Sequence, residues 1–205
     1  MNRTKLLTTR NIAVIAMLGA LSGLLMTVEV PLTFVAPDFY KLDLSEVPVM
    51  IGTFALGPVA GALTELVKLA VKYIIKGSST GGVGELANFI IGCAMLVPAG
   101  LLYQWKKTRR TAMISLALGT LCMTAVGVMV NALVLLPFYK KFMPMETIIA
   151  AGAKIFPQVN SVWSFALYCV TPFNLIKGVL ISVLTAILYK RVSHLIKEFG
   201  RTERK

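Results

Sequence analysis

Residues 111–136 read TAMISLALGTLCMTAVGVMVNALVLL, without one charged side chain and with a single amide, Asn131. A helix of about twenty residues crosses the hydrocarbon of a bilayer. This stretch is long enough, and Pro137 is expected to stop it. It predicts a membrane-spanning helix over Thr111–Leu136. The neighbouring segments agree. Glu85–Trp105 reads as another apolar helix, with Pro98 as a candidate kink, and Pro172–Val192 as a third. Towards the N-terminus, helices are expected over Asn11–Val28, Ser45–Leu56 and Val59–Ile75, with Ser45 as a candidate N-cap.

Composition supports lipid as the solvent. Hydrophobic residues make up 57% of the 205-residue chain and charged ones 15%, and the mean hydropathy is +0.77. A soluble domain is about a quarter charged. The chain is therefore expected to be one all-α membrane domain, residues 1–205, with six transmembrane helices. The net charge of +12 does not indicate nucleic acid, because the basic residues gather in short segments between apolar runs. The N-terminal segment, Lys106–Arg110 and the segment from Lys190 onward together hold 13 of the 21 lysines and arginines; the other connections hold five. The positive-inside rule then puts both termini in the cytoplasm. The first apolar run is read as a retained helix and not as a signal peptide. Cys93, Cys122 and Cys169 read as small packing residues.

Ser45–Leu56 is too short to cross unaided. It must tilt, lie within protein, or be extended by irregular backbone, which needs a covering of protein or a cavity. A site is expected near residues 31–45. The polar residues support this. Asn88, Asn131, Asn174 and Lys177 fall near one end of their helices, the end that also receives Asp43, Ser45 and Glu46. Asn174 and Lys177 share a face at i, i+3. Ionisable groups inside a bilayer usually face a cavity or a partner, so an outward-facing ligand pocket is expected. Lys177 can balance Asp43 or Glu46, or donate to a ligand. Phe39 and Tyr40 can stack on a planar molecule. Glu65, Lys68, Lys72 and Lys76 form a polar face, read first as structural, with Glu65 and Lys68 paired and Lys72 and Lys76 reaching outward. Gly77–Gly84 reads as a turn and Glu146–Phe156 as a short interfacial helix. Ala13, Ala16, Ala20 and Gly23 form a stripe that permits close approach of another helix.

Enzyme signals are weak. His194, the only histidine, lies in the C-terminal tail, and there is no metal-ligand cluster, hydrolase motif or nucleotide loop. Neither a cofactor nor a metal is expected, and uphill transport would need a partner ATPase.

Several segments carry a family resemblance. Pro31–Pro48 (PLTFVAPDFYKLDLSEVP) resembles the first loop of riboflavin-specific S-components of energy-coupling-factor (ECF) vitamin transporters. Gly84–Phe89, Met129–Leu133 and Thr171–Gly178 resemble later segments of the same family. The resemblance implies a bacterial plasma-membrane protein in which Asn131, Asn174 and Lys177 meet the isoalloxazine ring. Leu42, Asp43, Leu44 and Glu46 would belong to a loop closing over the ligand. The partners implied are a transmembrane T-component, contacted through Ala16-x-x-x-Ala20, and two cytoplasmic ATPases. ATP hydrolysis would topple the subunit so that its site faces inward. The alternatives are an S-component for another vitamin, or an intramembrane enzyme or scaffold.

Overall fold

The computed structural model describes residues 8–78 and 80–199, with side chains through residue 189. Arg3 and Lys5, and the side chains of the basic tail with His194, lie outside the described residues. Helix α1 (Thr9–Leu25) starts at Thr8, whose hydroxyl accepts from the Asn11 N–H. It ends three residues before the expected Val28. The chain then forms β1 (Val30–Pro31), which pairs antiparallel with β2 (Lys41–Leu42) in the register Val30 to Leu42. This ladder was not expected. Two residues per strand leave no period to read, and Pro31 is tolerated because the ladder has only edge strands.

Helices α2 (Glu46–Leu56) and α3 (Pro58–Lys76) meet at a sharp corner. Gly57 takes φ +105° there, a region that disfavours a side chain, and Pro58 opens α3 where its missing N–H costs nothing. Every residue of α2 from Glu46 to Phe54 is buried. The short helix lies within protein. Helix α4 (Val83–Trp105) carries Pro98 in its interior.

Helix α5 (Arg109–Val130) does not stop at Pro137 as expected. It passes through a π-helical turn, Asn131–Leu135, into α6 (Leu136–Tyr139). The proline falls in the first turn of α6, where it breaks least. Helix α7 spans Met145–Ala153, shorter than the expected Glu146–Phe156 at its C-terminal end. The last long helix begins ten residues before its expected start. It runs from α8 (Val162–Phe165), through a second π-helical turn at Ala166–Val170, into α9 (Thr171–Phe199).

Among the described residues, three helical runs are long and apolar enough to cross a membrane: Val83–Trp105, Arg109–Tyr139 and Val162–Tyr189. The six expected spans also include α1 and α2, which are shorter, and α3, which carries a charged face. The surface fits lipid. Leu101, Leu121, Leu133, Leu167, Val183 and Ile187 are exposed on helix flanks. Hydroxyls instead lie inside: Thr53, Thr64 and Thr124 each donate to the carbonyl four residues earlier. All three cysteines are free.

Helix α1 packs on α3 through glycine. A Cβ at Gly19 would lie 2.5 Å from Val67 Cγ1, and one at Gly23 would lie 2.6 Å from Val71 Cβ. Gly23 therefore belongs to the interior and not to the expected docking stripe. Ala13 and Ala16 are exposed and Ala20 is half-buried. Gly19→Ile is expected to cost about 1–3 kcal/mol by overpacking and to lower the thermal midpoint in detergent. Ala13→Ile, on the open face, should leave that midpoint in place.

Candidate functional site

A cavity of about 420 Å³ opens where several helix ends converge. It is lined from the end of α1 (Met26, Glu29), the first loop (Phe39, Tyr40, Lys41, Asp43), Glu46 of α2, and Lys72, Lys76 and Gly77 at the end of α3. The opening turns of α4, the end of α5 and the start of α9 complete it. Turns rich in positive-φ glycine, Gly77, Gly81 and Gly82, reverse the chain at this end.

Eight of the ten expected ligand residues line the cavity: Phe39, Tyr40, Asp43, Glu46, Asn88, Asn131, Asn174 and Lys177. Leu42 and Leu44 do not. Leu42 is buried in a cluster with Val35, Leu136 and Phe165, and Leu44 packs against it. Extended chain sends alternate side chains to opposite sides, so Lys41 and Asp43 face the cavity while the leucines anchor the loop. Other lining residues were not anticipated. Met123 lies eight residues before Asn131 on nearly the same helical face, which could have signalled it. Phe173, Tyr139 and Glu29 carried no such sign.

The charges inside are matched. Lys177 Nζ lies 2.9 Å from Asp43 Oδ2. Asp43 Oδ1 accepts from the Ser45 backbone N–H at 2.9 Å and from the Ser45 hydroxyl. Ser45 thus caps the carboxylate and makes no side-chain cap to α2, against expectation. Burial alone would raise the Asp43 carboxyl; the Lys177 and Lys68 ammoniums and the Ser45 hydroxyl outweigh it and hold it at about 2. The carboxylate stays ionised across the physiological range. Lys68, fully buried, lies 2.6 Å from both Glu46 Oε1 and Glu65 Oε1. The expected Glu65–Lys68 pair is therefore present, joined by Glu46. Gly92 makes room, since a Cβ there would sit 2.7 Å from Glu65 Oε1. Lys72 pairs with Glu85 at 2.6 Å and Lys76 with Glu29 at 3.2 Å. Both turn to the cavity rim and its carboxylates.

The three amides have distinct duties. Asn88 Oδ1 accepts from Lys68 at 3.2 Å, which leaves its NH2 as the free end. Asn131 opens the first π-helical turn. Its NH2 donates to the Gly127 carbonyl at 2.7 Å, so its oxygen is turned the other way and accepts from the Tyr40 hydroxyl at 2.6 Å. Burial pushes the Tyr40 phenol well above its ordinary value, so it remains a donor. Asn174, one turn beyond the second π-helical turn, lies against Gly127 with its amide nitrogen buried and without a partner among the described residues. Such turns often mark functional sites.

This arrangement has the groups of a binding pocket. It holds apolar walls, one oriented acceptor, several donors and ion pairs already closed. Among the described residues, no three His, Cys, Asp or Glu side chains are grouped to hold a metal.

Comparison with known proteins places this architecture. The family model described as ECF transporter, substrate-specific component, matches residues 10–189. The riboflavin transporter FmnP of Bacillus subtilis (strain 168) is 30% identical over 190 residues, covering 92% of this chain and 95% of that protein. The riboflavin transporter RibU of Staphylococcus aureus (strain TCH60) is 32% identical over 188 residues, covering 92% and 93%. A solved structure, described as the S component of a bacterial ECF transporter, aligns with a TM-score of 0.71 at 32% identity, over 91% of this chain and 96% of the other.

Lys68 is the cation on which two buried carboxylates depend. Lys68→Met is expected to destabilise the protein by about 3–5 kcal/mol, the typical cost of breaking a buried pair from one side. A thermal-unfolding series in detergent reads this directly.

Proposed function

The chain belongs to the family of ECF transporter substrate-specific components, and from that premise we propose that it is the riboflavin-capturing membrane subunit of an ATP-driven vitamin importer. The observation that carries this reading is the pair of amides meeting at Gly127. Asn131 presents an oxygen, and Asn174 presents a buried nitrogen with no partner among the described residues. The pyrimidine edge of a flavin runs carbonyl, N–H, carbonyl. It asks for a donor, an acceptor and a donor. Asn174, Asn131 and Lys177 offer that set, and all three line the cavity.

The rest of the pocket fits the same ligand. Phe39, Ile91, Met123 and Phe173 supply apolar surface for a flat ring system. The volume falls within the range of about 300–1,000 Å³ common to small-molecule sites. Lys177 and Lys68 both face carboxylates, which suits an uncharged vitamin better than an anion.

In this reading six helices cross the bacterial plasma membrane, with both termini cytoplasmic and the cavity facing outward. The first loop, Leu42–Glu46, closes over the vitamin. The sequence holds no nucleotide-binding loop, so the work comes from two cytoplasmic ATPases through a transmembrane T-component. The exposed Ala13 and Ala16, with half-buried Ala20, form the face that meets that component. Small side chains let helix backbones approach closely in lipid.

Purified protein should quench riboflavin fluorescence on titration. Asn131→Ala and Lys177→Ala should each weaken binding by about 1–3 kcal/mol, the cost of leaving buried partners unpaired. Unchanged affinity in both variants would remove the proposed site. Ala16→Trp should bind riboflavin normally yet fail to co-purify with the T-component and ATPases. Intact assembly in that variant would place the docking face elsewhere.

A further inference from the structure

The Tyr40 hydroxyl sits on the acceptor that the ligand needs. It donates to Asn131 Oδ1 at 2.6 Å, and it is the one donor on that oxygen among the described residues. Asn131 cannot turn the oxygen away, because its NH2 is tied to the Gly127 carbonyl at 2.7 Å. The Tyr40 ring is held beside the site, edge-on to Phe173 at 5.6 Å and tilted against Phe39 at 5.0 Å. Three residues on, Asp43 occupies Lys177. One short segment of the first loop therefore covers two of the three proposed ligand anchors.

We propose that Tyr40 is a built-in competitor for the ligand, exchanged on the Asn131 carbonyl for the ligand's own N–H when the vitamin binds. This rests on the riboflavin reading above. The physical reason is desolvation. A buried carbonyl without a donor is costly, so the free pocket is stabilised by its own loop, and the ligand must break that bond to form an equivalent one. The exchange selects for ligands that carry a donor at this edge, since any other leaves the Asn131 oxygen bare. It also couples recognition to the position of the Tyr40 side chain, because its hydroxyl must leave the amide before the ligand's N–H can take its place. The competing arrangement is sharing. A carbonyl oxygen has two lone pairs, and Tyr40 and ligand could both donate to it.

Stopped-flow fluorescence with riboflavin separates these. Under exchange, Tyr40→Phe keeps the ring packing and removes the competitor. Binding should tighten by roughly two- to tenfold, the net worth of one hydrogen bond, and the gain should appear in the association rate with dissociation unchanged. In an Asn131→Ala background the same Tyr40→Phe change should have no effect. Equal or weaker binding by Tyr40→Phe, or an identical gain in the Asn131→Ala background, overturns the proposal while leaving the riboflavin reading intact. Failure of the unmodified protein to quench riboflavin fluorescence removes both.

Discussion

A charge withdrawn from water into a helical bundle must meet its opposite, and this requirement holds the binding end of the protein together. Asp43 and Lys177 lie 134 residues apart in the chain and 2.9 Å apart in space. Their pairing ties an irregular loop to the last long helix. Lys68 ties the start of α2 to α3 in the same way, through Glu46 and Glu65. On the cavity side the loop is held by these ionic ties and by the Phe39 and Tyr40 rings, which pack against Tyr139 and Phe173. On the other side Leu42 inserts into apolar core. The loop is fastened from both faces, by charge above the cavity and by burial behind it.

Departures from regular helix concentrate near the same end. Both π-helical turns occur in the two long helices that carry Asn131 and Asn174. A widened turn rotates the helix beyond it and opens backbone that a regular helix would close. Glycine does the complementary work. Gly127 admits the Asn174 amide and Gly92 admits the Glu65 carboxylate. Polar groups thereby enter an apolar bundle where a side chain in place of the glycine would collide with them.

A substrate-specific component has recognition as its task for a physical reason. The pocket of this chain holds closed ion pairs and oriented amides. Its task is recognition, which rests on matching donors to acceptors in a place with little water to compensate a mismatch. That is the logic of a separate substrate-specific component, and it accounts for a small apolar chain having an elaborate binding end and a plain flank of alanine, leucine and valine.

Much was legible in the sequence because the bilayer imposes simple rules. Long uncharged runs announced α4 and α5, and amides and charges within such runs announced the cavity, since lipid tolerates them only for a reason. Asn131 in an otherwise apolar stretch and the Asn174–Lys177 spacing pointed to three polar residues that line one cavity. Composition could not say which way Leu42 and Asp43 face, that Gly23 is an interior contact, that Pro137 does not end its helix, or that Ser45 serves Asp43. Those depend on partners distant in the chain: Val71 across from Gly23, Lys177 across from Asp43, the turn ahead of Pro137. The sequence by itself determined which long helical segments are apolar enough to cross a membrane, because hydropathy is a local property. Only the tertiary structure decided which polar groups meet, because pairing across the bundle is set by how the helices pack.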